Sequence, residues 1–74
     1  MRLTGKDRRA LEFIDVFCEV RGFSPTFREV GVAIGWESTQ TVSHSLHKLR
    51  KAGLVEFQDG LPRTLRLTKK ARAA

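Results

Sequence analysis

Between Ser38 and His44 the chain crowds six hydrogen-bonding side chains, Ser38, Thr39, Gln40, Thr41, Ser43 and His44, into seven positions. Gln40 presents a donor and an acceptor side by side, the pair that matches an adenine edge, and the threonine methyls suit the methyl of thymine. Ser43 and His44 can donate or accept, and discriminate less between bases. A second set, Arg28, His47, Lys48, Lys51 and Arg63, carries or can gain positive charge and suits phosphate oxygens, which add affinity but little sequence information. Thr26 joins it, because a helix N-terminus offers free backbone N–H groups to a phosphate. Together they are base-reading and backbone-contacting candidates for double-stranded DNA. The competing reading is a solvated helix face with ordinary surface charge.

The placement of charge bears on that choice. A net charge of +6 and a pI near 10.5 over 74 residues favour a polyanionic partner. Residues 1–39 hold six Lys/Arg and six Asp/Glu, whereas residues 40–74 hold eight and two, so the whole excess lies in the half that carries most of the candidates. With a hydrophobic fraction of 41% the chain can build one small core, which leaves little room for a deep substrate cleft.

Other chemistries find less support. The acids Asp7, Glu12, Asp15, Glu19, Glu29, Glu37, Glu56 and Asp59 are scattered, and no Gly-rich phosphate loop is present, so the chain reads as non-enzymatic with no small-molecule substrate. His44 and His47 sit at i, i+3, yet zinc wants three or four ligands and Cys18 falls on the core stripe of another helix; neither a metal nor a cofactor is expected. No apolar run is long enough for a membrane span, no basic helix has a lipid-seeking face, and Arg2 is followed by polar residues instead of a signal-peptide core. A single cysteine adds to the expectation of a cytoplasmic protein, associated with the nucleoid.

Three helices and a hairpin must position these residues. Thr4 caps a helix from about Gly5 to Arg21, with Asp7 in the capping-box position and Gly22 as the stop. Its stripe Ala10, Leu11, Phe13, Ile14, Phe17, Cys18 and Val20 is expected to face the core. Thr26 and Glu29 form a second capping box, opening a helix that buries Phe27, Val30, Ala33 and Ile34 and ends at Gly35. Gly31 inside so short a helix suits a close approach by a neighbour. Ser38 caps a third helix, Thr39 to about Ala52, in which Val42, Leu46 and Leu49 share one sector at 100° per residue and Gln40, His44, His47 and Lys51 face away, flanked by Ser43 and Lys48. Trp36 is expected to plug the turn before it. Strands over Leu54–Gln58 and Arg63–Leu67, with a turn at Asp59–Pro62, make a wing, and 68–74 reads as a basic, mobile tail outside a 1–67 domain.

The segments Leu3-Thr4, Gly22-Phe23-Ser24-Pro25-Thr26, Arg28-Glu29-Val30, Ile34-Gly35-Trp36 and Leu46-x-x-Leu49-x-x-x-Gly53-Leu54-Val55 resemble the N-terminal winged-helix domain of LexA, the family of bacterial SOS repressors. The likeness runs from about residue 3 to residue 67. It implies a mainly α winged helix-turn-helix with a two-stranded wing, acting as a sequence-specific regulator, with helix 3 in the major groove and the wing beside the backbone. By the same resemblance the base-reading side chains lie in the first two turns of helix 3, which here are Ser38, Thr39, Gln40, Thr41, Ser43 and His44. LexA proteins continue through a hinge into a dimerising, self-cleaving domain, and the sequence stops where that hinge would begin; no self-cleavage is expected of these residues. Tight binding would then need a homodimer on paired half-sites or a partner regulator. Two other uses of the fold stay open, a protein-interaction module such as an anti-repressor or adaptor, and a DNA-bending factor such as a phage excisionase.

Overall fold

Three local devices set the helices of the computed structural model, which describes residues 3–73. Helix α1 (Gly5–Arg21) begins at a reciprocal cap: the Asp7 N–H donates to Thr4 Oγ1 at 3.0 Å, and the Thr4 N–H donates to Asp7 Oδ2 at 3.1 Å. Helix α2 (Phe27–Ile34) repeats the motif with Thr26 and Glu29, at 3.1 and 2.8 Å. In α3 (Thr39–Lys51) the Ser38 hydroxyl accepts from the Thr41 N–H at 3.1 Å. Each cap satisfies backbone donors that a helix start otherwise leaves open. All three helices therefore start where the side chains say they should.

One core joins them. Ala10 and Ile14 of α1, Val30 and Ile34 of α2, and Val42, Leu46 and Leu49 of α3 meet Val55 and Leu65 from the C-terminal half. At Gly31 the Val42 side chain of α3 comes so close to α2 that a Cβ would lie 2.6 Å from Val42 Cγ2. The half-buried Trp36 packs against this core at the α2–α3 turn. Two expected core residues face solvent instead, Val20 near the end of α1 and Ala33 on α2. The core closes over a narrower arc than the apolar stripes cover.

The C-terminal half departs further from expectation. Strand β1 (Val55–Glu56) pairs antiparallel with β2 (Arg66–Leu67), Val55 opposite Leu67 and Glu56 opposite Arg66, so the ladder is far shorter than the alternating residues suggest. Side chains replace the missing rungs: the Thr64 hydroxyl accepts from the Gln58 N–H at 2.9 Å and donates to the Leu61 carbonyl at 3.0 Å. Arg63, at φ 60°, turns the chain out of extended geometry, which the period-two pattern could not reveal.

Where an aperiodic tail was expected, a short helix α4 (Lys69–Ala73) packs on β2. Alanine, lysine and arginine all favour helix, and Thr68 opens this one, accepting from the Ala71 N–H at 3.3 Å while donating to the Gly53 carbonyl at 2.6 Å. Arg72 ties it to Asp15 of α1 at 3.1 Å. Arg2 and Ala74 lie outside the described residues.

Candidate nucleic-acid interface

Because Val42, Leu46 and Leu49 are buried, the opposite face of α3 turns to solvent, and Gln40, His44, His47 and Lys51 are all exposed there. Thr39, Gln40 and His44 make no side-chain hydrogen bond among the described residues, so their donors and acceptors point at water. The other three base-reading candidates are engaged. Ser38 and Thr41 hydroxyls lie 2.9 Å apart at the helix start, and the half-buried Ser43 hydroxyl lies 3.3 Å from His47 Nδ1.

The cations divide in the same way. Arg28 is exposed and, with Trp36, Glu37, Ser38 and Thr39, lines an indentation of about 170 Å³ beside the start of α3. Lys51 is exposed in the last turn, where a cation also complements the helix dipole. Lys48, by contrast, reaches back 2.9 Å to Asp7 on α1. Arg63 folds onto the α1–α2 junction, 3.2 Å from Glu29, 3.0 Å from the Ser24 carbonyl, and over the Phe23 ring at 4.9 Å. The Thr26 hydroxyl accepts the Glu29 N–H at the α2 cap, and its own backbone N–H is taken by the Glu29 carboxylate.

His47 is held from both sides. Its Nδ1 lies 2.7 Å from the Ser43 carbonyl, which can only accept, so that nitrogen carries a proton; Nε2 faces Asp59 at 3.6 Å. Both side chains are largely exposed, so the contact lies at the surface between α3 and the wing loop. His44 has no such neighbour among the described residues.

Carboxylates at the two caps are stabilised as anions. Burial would raise the Asp7 pKa, but the Thr4 backbone N–H and the Lys48 ammonium outweigh it and hold the carboxyl below its ordinary value of 3.8. The Thr26 backbone N–H, helped by Arg63, lowers Glu29 in the same direction.

Packing fixes the wing beside α3. Phe57 meets the Phe27 ring edge-on at 4.9 Å and the His47 ring at 5.2 Å, and the Arg50 guanidinium sits over it at 4.2 Å. Arg50 also donates to the Phe57 carbonyl and to Asp59, both at 3.3 Å. The space left between the α2 start, α3 and the loop 57–65 is an open groove of about 430 Å³. Arg50, Phe57 and Asp59 were absent from the sequence-based set, since no local pattern joins a helix residue to a loop beyond the next turn. Among the described residues no helix is long and apolar enough to cross a membrane.

The model of the LexA DNA binding domain family matches residues 1–64. This chain belongs to that family. The LexA repressor of Acetivibrio thermocellus is 36% identical over 66 residues, covering 89% of this chain and 31% of that protein. That of Frankia casuarinae is 40% identical over 63 residues, with 85% and 25% covered, and that of Streptomyces coelicolor is 35% identical over 72 residues, with 97% and 31% covered. The chain thus spans about a quarter to a third of the length of these curated relatives. The stretch matched to the LexA family takes in α1, α2, α3 and β1, while β2 and α4 follow it.

Proposed function

We propose that this chain is a sequence-specific double-stranded-DNA-binding repressor that lays α3 in the major groove with the wing beside the phosphate backbone. One observation carries the reading: Thr39, Gln40 and His44 stand exposed, without protein hydrogen bonds among the described residues, on a helix whose other face is locked into the core. Gln40 reads an adenine edge, Thr39 contacts a thymine methyl or its neighbour, and His44 adds an adaptable contact. Ser38, Thr41 and Ser43 are near enough to assist once their internal bonds are exchanged. Arg28 and Lys51 hold phosphates at either end of the helix. Membership of the LexA family and relatives named LexA repressors support the repressor role. Its place of action is the nucleoid, where no catalysis is required of it.

A lone module of this size makes about four phosphate contacts, each worth about −0.9 in the logarithmic salt slope. Such binding is weak, so high-affinity action requires two copies on half-sites about one helical turn or a multiple apart, or a partner regulator. Selection from a random duplex pool gives the half-site and spacing. Gln40→Ala should then erase preference at one base position, by about 1–3 kcal/mol, with non-specific binding nearly unchanged. An adaptor would show no duplex binding at all, and a bending factor would retain its bend in this variant. His44→Ala should weaken binding to the selected duplex while leaving the salt slope unchanged, because an adaptable base contact is lost and no phosphate contact is. Unchanged affinity in that variant removes His44 from the contact set.

A further inference from the structure

Both capping boxes serve twice. Asp7 and Glu29 each accept the backbone N–H of their own N-cap, and each also holds a cation from one of the two proposed DNA-facing elements, Lys48 of α3 and Arg63 of the wing loop. Their burial differs sharply. The Asp7 side chain is 2% exposed beneath a Lys48 that is 36% exposed, whereas Glu29 and Arg63 are 38% and 44% exposed. An ammonium that leaves a buried carboxylate takes away a charge partner where solvent compensates poorly, while an exposed pair parts at little cost because solvent takes over both groups. Proximity to DNA does not change that asymmetry, since a phosphate would replace the Asp7 oxygen at Lys48 but nothing would replace Lys48 at Asp7.

We infer, resting on the DNA-binding reading above, that Lys48 is a positioning residue and makes no phosphate contact: with Asp7 it locks the C-terminal half of α3 to the first turn of α1, fixing how Gln40 and His44 are presented. Arg63 is its counterpart, free to exchange Glu29 for a phosphate. Lys48 projects about 80° around the helix from Gln40, on the flank that faces α1, so its pairing pulls against rotation of α3 about its own axis.

The test is a salt titration of binding to the selected duplex and to a random duplex, for wild type, Lys48→Ala, Lys48→Arg and Arg63→Ala, with circular dichroism to check folding. Lys48→Ala should keep the wild-type salt slope but lose about tenfold in preference for the selected duplex, the weight of one well-placed base contact. Lys48→Arg, which keeps the pair with Asp7, should restore that preference. Arg63→Ala should flatten the slope by about 0.9 and leave the preference intact. The inference is overturned if Lys48→Ala flattens the slope as Arg63→Ala does, or if it leaves both quantities untouched. Should Lys48→Ala fail to fold, Lys48→Met takes its place: it keeps the side-chain stem and removes only the ammonium that Asp7 holds, so lost preference supports the lock and full preference refutes it. Wild-type protein that binds no duplex would sink the functional reading and this inference with it, an outcome distinct from a flattened slope in a protein that binds.

Discussion

From Thr4 to Gly53 the helix ends are closed by residues a few positions away: two reciprocal capping boxes, a serine cap, and glycines at 22, 35 and 53 in the left-handed conformation. Beyond Leu54 the closures come from far off. Two strands of two residues each are supplemented by Arg50 on Asp59, Arg66 on Glu56, Arg72 on Asp15, Thr68 on the Gly53 carbonyl and Cys18 Sγ 3.7 Å from the Leu65 carbonyl. The helix ends of the frame obey local rules, whereas the wing takes its shape from contacts with the frame. A domain built this way should lose stability globally through the frame and locally through the wing.

The harshest break of that comparison is at Leu46, fully buried where all three helices and the wing residues Val55 and Leu65 meet. Leu46→Ala should cost about 2–5 kcal/mol and unfold frame and wing in one transition, read by thermal and urea melts. Wing unfolding ahead of an intact frame would contradict the shared core. Gly31→Ala comes next. A methyl there would sit 2.6 Å from Cγ2 of the buried, β-branched Val42, so overpacking of about 1–3 kcal/mol should outweigh the gain of about 1 kcal/mol from alanine's helix propensity. A stabilised variant in a urea midpoint assay would mean that α2 and α3 can part without penalty.

What the sequence made legible follows the same division. Thr4, Asp7, Thr26, Glu29 and Ser38 announce their helices because a cap is made by residues three apart, and Gly31 announces a close approach because glycine inside a short helix needs a reason. The outer row of α3 was legible too, through the spacing of Val42, Leu46 and Leu49. The engagement of Lys48 and Arg63 was not, since their carboxylates lie 41 and 34 residues away. Nor was α4, whose five residues are too few to show a period. Thr64 alternates in sequence like a strand residue, yet its hydroxyl serves the loop.

Acid should act on the frame through the buried pair. With its folded pKa below 3.8, Asp7 contributes stability that is full above that value and is lost as pH falls through the folded one. Comparing urea melts at about pH 6 and about pH 3, Asp7→Asn should lose less stability on acidification than wild type does. An equal loss in both proteins would assign acid sensitivity to other carboxylates and leave Asp7 without its proposed hold on α3.

The smallest expected effect is the sharpest probe of the wing. Thr68 makes three bonds that tie the start of α4 to the α3–β1 connection: its N–H donates to the Leu54 carbonyl at 3.1 Å, its hydroxyl donates to the Gly53 carbonyl, and the same oxygen accepts from the Ala71 N–H. Thr68→Ala removes the two hydroxyl bonds and should cost about 1 kcal/mol. If the wing is held by such individual ties, hydrogen exchange should quicken in β1, β2 and α4 while the amides of α1 and α3 keep their protection. Because the Arg50–Phe57 contact lies at the other end of the wing loop, the loop should stay docked on α3 even as α4 loosens. Faster exchange throughout α3 would instead make the wing a structural partner of the proposed reading helix, and the contrast between a self-sufficient frame and a dependent wing would not hold.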